Sequence, residues 1–202
     1  MAFAIMREEG VEKVTMRRLA NELDTGPASI YVYVQNTAEL HGALLDELLF
    51  GLVLPAEGAD AQWRERLIEL LESYTSLLFR YPSLARSVLT LRPSGANYLR
   101  LIETVLQLLQ VGGVTGRRAA WGVDLLLQHA TAMAAEQGTR SEAGDLDDGP
   151  QLQVMAIREA DAEGYPGIDQ VRDELFSGTG EQRMRWAFAA MIEGVAAVEP
   201  PV

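Results

Sequence analysis

The side chains with most to offer chemically lie in one short stretch, Pro27-Ala28-Ser29-Ile30-Tyr31-Val32-Tyr33-Val34. Helical spacing turns Ile30 and Val34 to a core and leaves Pro27, Ala28, Ser29, Tyr31 and Tyr33 to solvent. A short helix with a polar and aromatic exposed face can enter the major groove of DNA. Bond-making chemistry finds far less to use. Cysteine is absent, which removes a thiolate nucleophile, a disulfide framework and every Cys-based zinc site. The two histidines, His41 and His129, stand apart from each other and from any acid cluster, and neither GxGxxG nor a P-loop occurs. The paired acids Asp147-Asp148 fall in a segment, Gly138–Pro150, rich in Gly, Asp and Glu with Leu146 as its one large apolar residue, which reads as a loop unable to hold catalytic geometry. No enzyme, no metal and no cofactor is therefore expected.

Net charge qualifies the DNA expectation. At −12 the chain as a whole is acidic, whereas phosphate contacts need a basic face. Residues 1–37, however, carry Arg7, Lys13, Arg17 and Arg18 against Glu8, Glu9, Glu12, Glu22 and Asp24, so the excess acid lies downstream. The opening Met-Ala-Phe-Ala-Ile-Met is too short for a signal-peptide core or a membrane span, and with the lack of cysteine this points to the cytoplasm, with no membrane partner.

Along the chain apolar residues recur every three or four positions and no stretch alternates as a strand would, so the fold class is all-α. Three short helices, Ala2–Glu9, Thr15–Leu23 and Pro27–Val34, form a head. Thr15 suits an N-cap, and Leu19, Ala20 and Leu23 give the second helix an apolar stripe. A linker helix starts at Asn36, with Glu39 three residues later as in a capping box, and runs towards Phe50. After a break at Pro55–Gly58, helices are expected from Trp63 to near Tyr81, then at 83–91, 96–111, 115–137, 151–163, 167–177 and 181–198. Residues 1–50 thus form a helix-turn-helix head with its linker, and residues 51–202 a larger body.

The order Thr15-Met-Arg-Arg-Leu-Ala20, a spacer, Ser29-Ile-Tyr31, Tyr33-Val34, Asn36 and Glu39-Leu40 resembles the DNA-binding signature of the TetR family of transcriptional regulators, closest to its tetracycline-repressor branch. The resemblance implies a ligand-responsive repressor that binds a palindromic site on double-stranded DNA as a homodimer and leaves it when a small-molecule effector binds. Carried over residue by residue, it implies that Thr15 and Arg17 touch the backbone or a base edge, Arg17 alone being able to grip guanine with two bonds. Pro27, Ala28 and Ser29 would face bases, and Tyr31 and Tyr33 would hydrogen-bond phosphates. Thr37 stands in this DNA-facing set where the family usually has lysine, which implies a shallower salt dependence. Asp24 replaces the usual glycine at a turn position of positive φ, a conformation Asp tolerates better than most residues. The first helix lacks the family's basic lead-in, which implies an earlier start or weaker DNA binding.

In the family the body encloses a ligand pocket and its last two long helices pair with those of a second subunit. The implied lining is Trp63, Tyr74, Phe79, Arg86, Leu89, Tyr98, Ile102, Trp121, Leu125, His129 and Met133, a mixture of aromatic, apolar and a few polar groups that suits a lipophilic, aromatic molecule. Each of these, at helical spacing, also fits a plain core. His129 must find a hydrogen-bond partner, whereas His41 is expected in solvent. The pairing helices would be 115–137 and 181–198, both rich in small residues (Ala119, Ala120, Ala130, Ala132, Ala134 and Ala135; Ala187, Ala189, Ala190, Gly194, Ala196 and Ala197), though such faces also pack within one chain. A helical small-molecule binder of regulator descent that no longer binds DNA is the alternative.

Overall fold

Capping and turn chemistry set the N-terminal elements. Helix α1 (Ala2–Glu9) stops at Gly10, and a single 3-10 turn over Val11–Lys13 leads to α2 (Met16–Glu22). The Thr15 hydroxyl caps α2 by accepting the Arg18 N–H at 3.2 Å. Beyond α2 the chain reverses through Asp24 at φ 48°, the left-handed conformation expected there, and Thr25 donates its N–H to the Ala20 carbonyl at 2.9 Å. Pro27 then opens α3 (Pro27–Tyr31), where its missing N–H is no loss. Asn36 caps the linker helix α4 (Thr37–Phe50) by accepting the Glu39 N–H at 2.8 Å, while the Glu39 carboxylate reaches back one residue further, to the Gln35 N–H at 2.6 Å.

The body follows as α5 (Trp63–Phe79), α6 (Pro82–Val88), α7 (Ala96–Val111), α8 (Gly116–Ala143), α9 (Gly149–Glu159), α10 (Pro166–Gln170), a 3-10 turn at Glu174–Phe176, and α11 (Gly180–Ala197). This is a computed structural model that describes residues 1–55, 62–91, 93–143 and 149–201, and among them every regular element is helical. None of the helices among the described residues is long and apolar enough to cross a membrane. α8 is the central strut, packed against α5, α6, α7 and α11. Around it Leu71, Tyr74, Leu78, Leu101, Leu126, Phe188 and Ile192 are fully buried, each such side chain contributing roughly 1.5–3 kcal/mol by leaving water.

Several boundaries differ from those expected. α3 ends at Tyr31 rather than Val34, and α6 at Val88 rather than 91, each finishing in tight turns. α8 continues six residues past 137, because Gly138 is not a breaker: it is buried where α8 crosses Pro82, and a methyl group there would collide with the proline ring. The rest of the expected loop, 144–148 with Leu146, Asp147 and Asp148, lies outside the described residues, as do Arg92 and most of the break after Pro55. α9 ends at Glu159, four residues early, because the Arg172 guanidinium donates to the carbonyls of Ile157, Arg158 and Ala160 and satisfies its last turn. The span 167–177 divides into α10 and a 3-10 turn.

Two side chains reverse their expected exposure. Leu23 sits at the open end of α2 and is half in solvent. His41 is 8% exposed, not solvated, because the face of α4 that bears it packs on α6, with Nδ1 and the Ser87 hydroxyl 2.9 Å apart. α4 is also fixed to α7: the Asp46 carboxylate accepts the Tyr98 N–H at 2.9 Å and the Asn97 side-chain amide at 3.2 Å, doing for the start of α7 what Gly95 cannot. A third tie, from Val11 N–H to the Ser83 hydroxyl at 2.9 Å, joins the first 3-10 turn to α6.

Candidate nucleic-acid interface and effector site

Leu19 and Ala20 on α2 are buried, and Ile30 and Val34 pack on the same core, so the pair α2–α3 is held from within. The opposite face of α3 is open. Pro27, Ala28, Ser29 and Tyr31 are exposed along it, and Tyr33 just beyond is 83% exposed. Arg17 on α2 and Thr37 at the start of α4 are exposed on either side of α3 in the sequence. Thr15 is half-buried, its oxygen partly taken by the cap. Arg18, a neighbouring cation, lies 3.0 Å from both Glu9 and Glu22, so its charge is compensated within the head. Sequence reasoning missed one polar contact on this face: Thr25 donates to the Ser29 hydroxyl at 3.0 Å. Its signal was the four-residue spacing of two hydroxyls across a helix start.

The side chains expected to meet an effector separate into four environments. Trp63 and Tyr74 are closed into the core. Thr131 donates its proton to the Leu127 carbonyl at 2.8 Å, so the Tyr74 phenol, 3.0 Å from Thr131, is the donor of that pair. Burial pushes the Tyr74 phenol well above its usual range, and burial followed by the nearby Asp124 carboxylate raises that of Tyr98. Phe79, Tyr98, Ile102 and Met133 are half-buried against the core, and with them stands His129, its ring 5.8 Å from and edge-on to Phe188. The expected partner for His129 is missing at one nitrogen, because Nε2 is buried without a hydrogen bond. Arg86 faces a cleft of about 430 Å³ between α1 and α6, 3.8 Å from Glu12. Leu89, Trp121 and Leu125 are exposed, the last two on the outer face of α8.

The small residues also divide. Ala119, Ala130, Ala134 and Ala135 are buried within the chain, whereas Ala120 and Ala132 lie outside, on the side of α8 that bears Trp121 and Leu125. On α11, Ala190 and Ala197 are exposed and Trp186 is 72% exposed, while Phe188 and Ile192 face inward. α11 is lashed to α5 by Arg185, whose guanidinium bonds Glu65 and, at 2.9 Å, Glu72.

Residues 54–198 match the family model described as the tetracyclin repressor-like C-terminal domain. Among solved structures the chain is similar to SCO7704 from Streptomyces, assigned as a transcription regulator, with 52% identity over 100% of this chain and 93% of that one and a TM-score of 0.80. It is also similar to apo ActR of Streptomyces coelicolor, with 32% identity over 97% and 91% of the two chains and a TM-score of 0.84; ActR, a TetR family protein, has been solved in complex with actinorhodin. The HTH-type transcriptional repressor DrrR1 of Streptomyces coeruleorubidus is 28% identical over 91% of this chain and 72% of its own.

Proposed function

We propose, for a chain that belongs to the tetracycline repressor-like (TetR) family of transcriptional regulators, that it is a repressor released from a palindromic operator by a small lipophilic molecule. The exposed face of α3 carries the proposal. The buried side of α3 is fixed by Ile30, and its open side presents Pro27, Ala28, Ser29 and Tyr31 to solvent, a polar and aromatic surface whose shape suits a major groove. In this arrangement Pro27, Ala28 and Ser29 face bases. Tyr31 and Tyr33 hold phosphates, and Thr15, Arg17 and Thr37 flank them.

Residues 1–50 act as the DNA-binding head and linker, and residues 51–202 as the sensing and dimerisation body. Two copies pair through the outer faces of α8 and α11, where Trp121, Leu125, Trp186 and Ala190 leave apolar surface in water. Pairing sets the two α3 helices about 34–36 Å apart, one turn of the duplex. The effector lies among Phe79, Tyr98, Ile102, His129 and Met133, where the unpartnered Nε2 of His129 supplies a polar contact. The actinorhodin complex of the similar ActR supports a small-molecule effector here. A ligand that shifts α6 or α7 moves the head, because α4 is tied to α6 by His41 and Ser87 and to α7 by Asp46. Coupling of about 1–3 kcal/mol between the two sites makes a useful switch.

Mobility shift of the purified chain on DNA from upstream of its own gene, at two salt concentrations, tests the proposal. Retarded, salt-sensitive complexes that a lipophilic compound dissolves are the expected result. Ligand binding without affinity for this or neighbouring promoters would replace it with a sensor that has lost DNA.

A further inference from the structure

We infer that Val32 is a base-reading residue that lays its two methyl groups against the 5-methyl group of a thymine, so that each operator half-site carries thymine at the position Val32 meets. The inference rests on the DNA-binding function proposed above. Val32 follows the last residue of α3 and keeps a helical conformation, at φ −67° and ψ −29°. The turn closes over it, since the Val34 N–H donates to the Ile30 carbonyl at 3.2 Å. Ile30 and Val34, which pack on the core, lie two residues to either side of Val32, and two residues carry a side chain about 200° round a helix axis. Val32 therefore points almost straight away from the core, and it is 78% exposed.

On the same geometry Tyr31 and Tyr33, one residue before and one after, stand about 100° to either side of Val32. Phenols so placed reach the phosphates that wall the groove, while the side chain between them faces its floor. Valine has no donor or acceptor to offer a phosphate or the polar edge of guanine, adenine or cytosine. Thymine differs from them in the major groove by its apolar 5-methyl group. Burying that one methyl-sized group raises affinity by about fourfold. Val32 also has little rotamer freedom to lose on contact, because branching at Cβ leaves one strongly preferred χ1 in a helix. Ala28, one turn earlier on the same face and likewise exposed, continues the apolar strip towards the start of α3.

The test uses the full chain and the duplex it enriches from a random library. Each thymine of one half-site is replaced in turn by deoxyuridine, which pairs alike and lacks the 5-methyl group. The wild type is expected to lose about fourfold in affinity at one such position. Val32→Ala should bind the thymine and deoxyuridine duplexes equally at that position, with its response to every other exchange unchanged. Val32→Ile, which keeps the apolar contact, should keep the sensitivity. Wild-type affinity that no exchange reduces, or methyl sensitivity that Val32→Ala retains at every position where the wild type shows it, overturns the inference while leaving DNA binding in place. A wild type that enriches no sequence overturns the DNA-binding function itself.

Discussion

Val11 donates its backbone N–H to the side-chain hydroxyl of Ser83 at 2.9 Å, across 72 positions of sequence, and both residues are buried. The bond joins the turn that feeds α2 to the first turn of α6. Ser83→Ala removes the acceptor and strands a buried amide, which costs about 1–3 kcal/mol. A urea midpoint lowered accordingly with an unchanged slope is the expected result, and an unmoved midpoint would show that the amide finds another partner.

Asp46 fixes the other end of the linker. Replacing it by alanine deprives the start of α7 of the carboxylate that accepts the Tyr98 N–H, at a cost of about 0.5–2 kcal/mol. Thermal unfolding should begin a few degrees lower, on the order of 2–6 °C for a chain of this size. Gly95→Ala should act in the same direction, since its methyl group would strike the Asp46 carboxylate. A variant with a raised melting temperature would contradict the contact.

Much of this was legible in the sequence where the cause is local. Thr15 and Asn36 cap the helices they were expected to cap, and Asp24 adopts the positive φ its place in the turn demanded. What could not be read depends on which neighbour a face meets. His41 stands beside the apolar series Leu40, Leu44 and Leu48, and only the seating of α4 on α6 extends the buried face to it. Gly138 reads as punctuation in a polar stretch, yet its smallness lets α8 pass over Pro82. The alanines of α8 gave no hint of which would go inside, because alanine suits both a core and an interface.

Head residues separate by the slope of their salt dependence. Tyr31→Ala should weaken binding to every duplex alike and leave the slope of log affinity against log salt unchanged, since a neutral phenol releases no counterion. Arg17→Gln should flatten that slope by about one unit if the guanidinium meets a phosphate. Binding titrations at several salt concentrations distinguish the two, and a Tyr31→Ala protein of undiminished affinity would remove that phenol from the interface.

Alkaline pH tests the Tyr74 environment. Burial holds its folded-state pKa above the unfolded value of 10, so the unfolded chain releases this proton first. The associated stability is fully present below about pH 10 and falls as pH rises above it. Tyr98, raised for the same leading reason, adds in the same direction. Tyr74→Phe should cost about 0.5–1.5 kcal/mol at neutral pH and lose less than the wild type between about pH 10 and 11. Urea midpoints across that range check this; parallel curves for the two proteins would contradict it.

Self-association through α8 and α11 predicts that a charge at their most exposed aromatic residue separates the copies. Trp186→Arg should sediment as a monomer where the wild type sediments as a dimer, and its far-ultraviolet circular dichroism should be unchanged because the side chain is 72% exposed within one chain. A dimer that survives this substitution would locate the pairing surface elsewhere.

The most direct measurement is recovery of bound fragments from sheared genomic DNA by the purified chain, followed by sequencing. If two α3 helices of a dimer read DNA, the fragments share an inverted repeat whose half-sites are centred about 10 base pairs, or a multiple of that, apart. Fragments without a common sequence, or none retained above background at low salt, would contradict a DNA-reading role for α3.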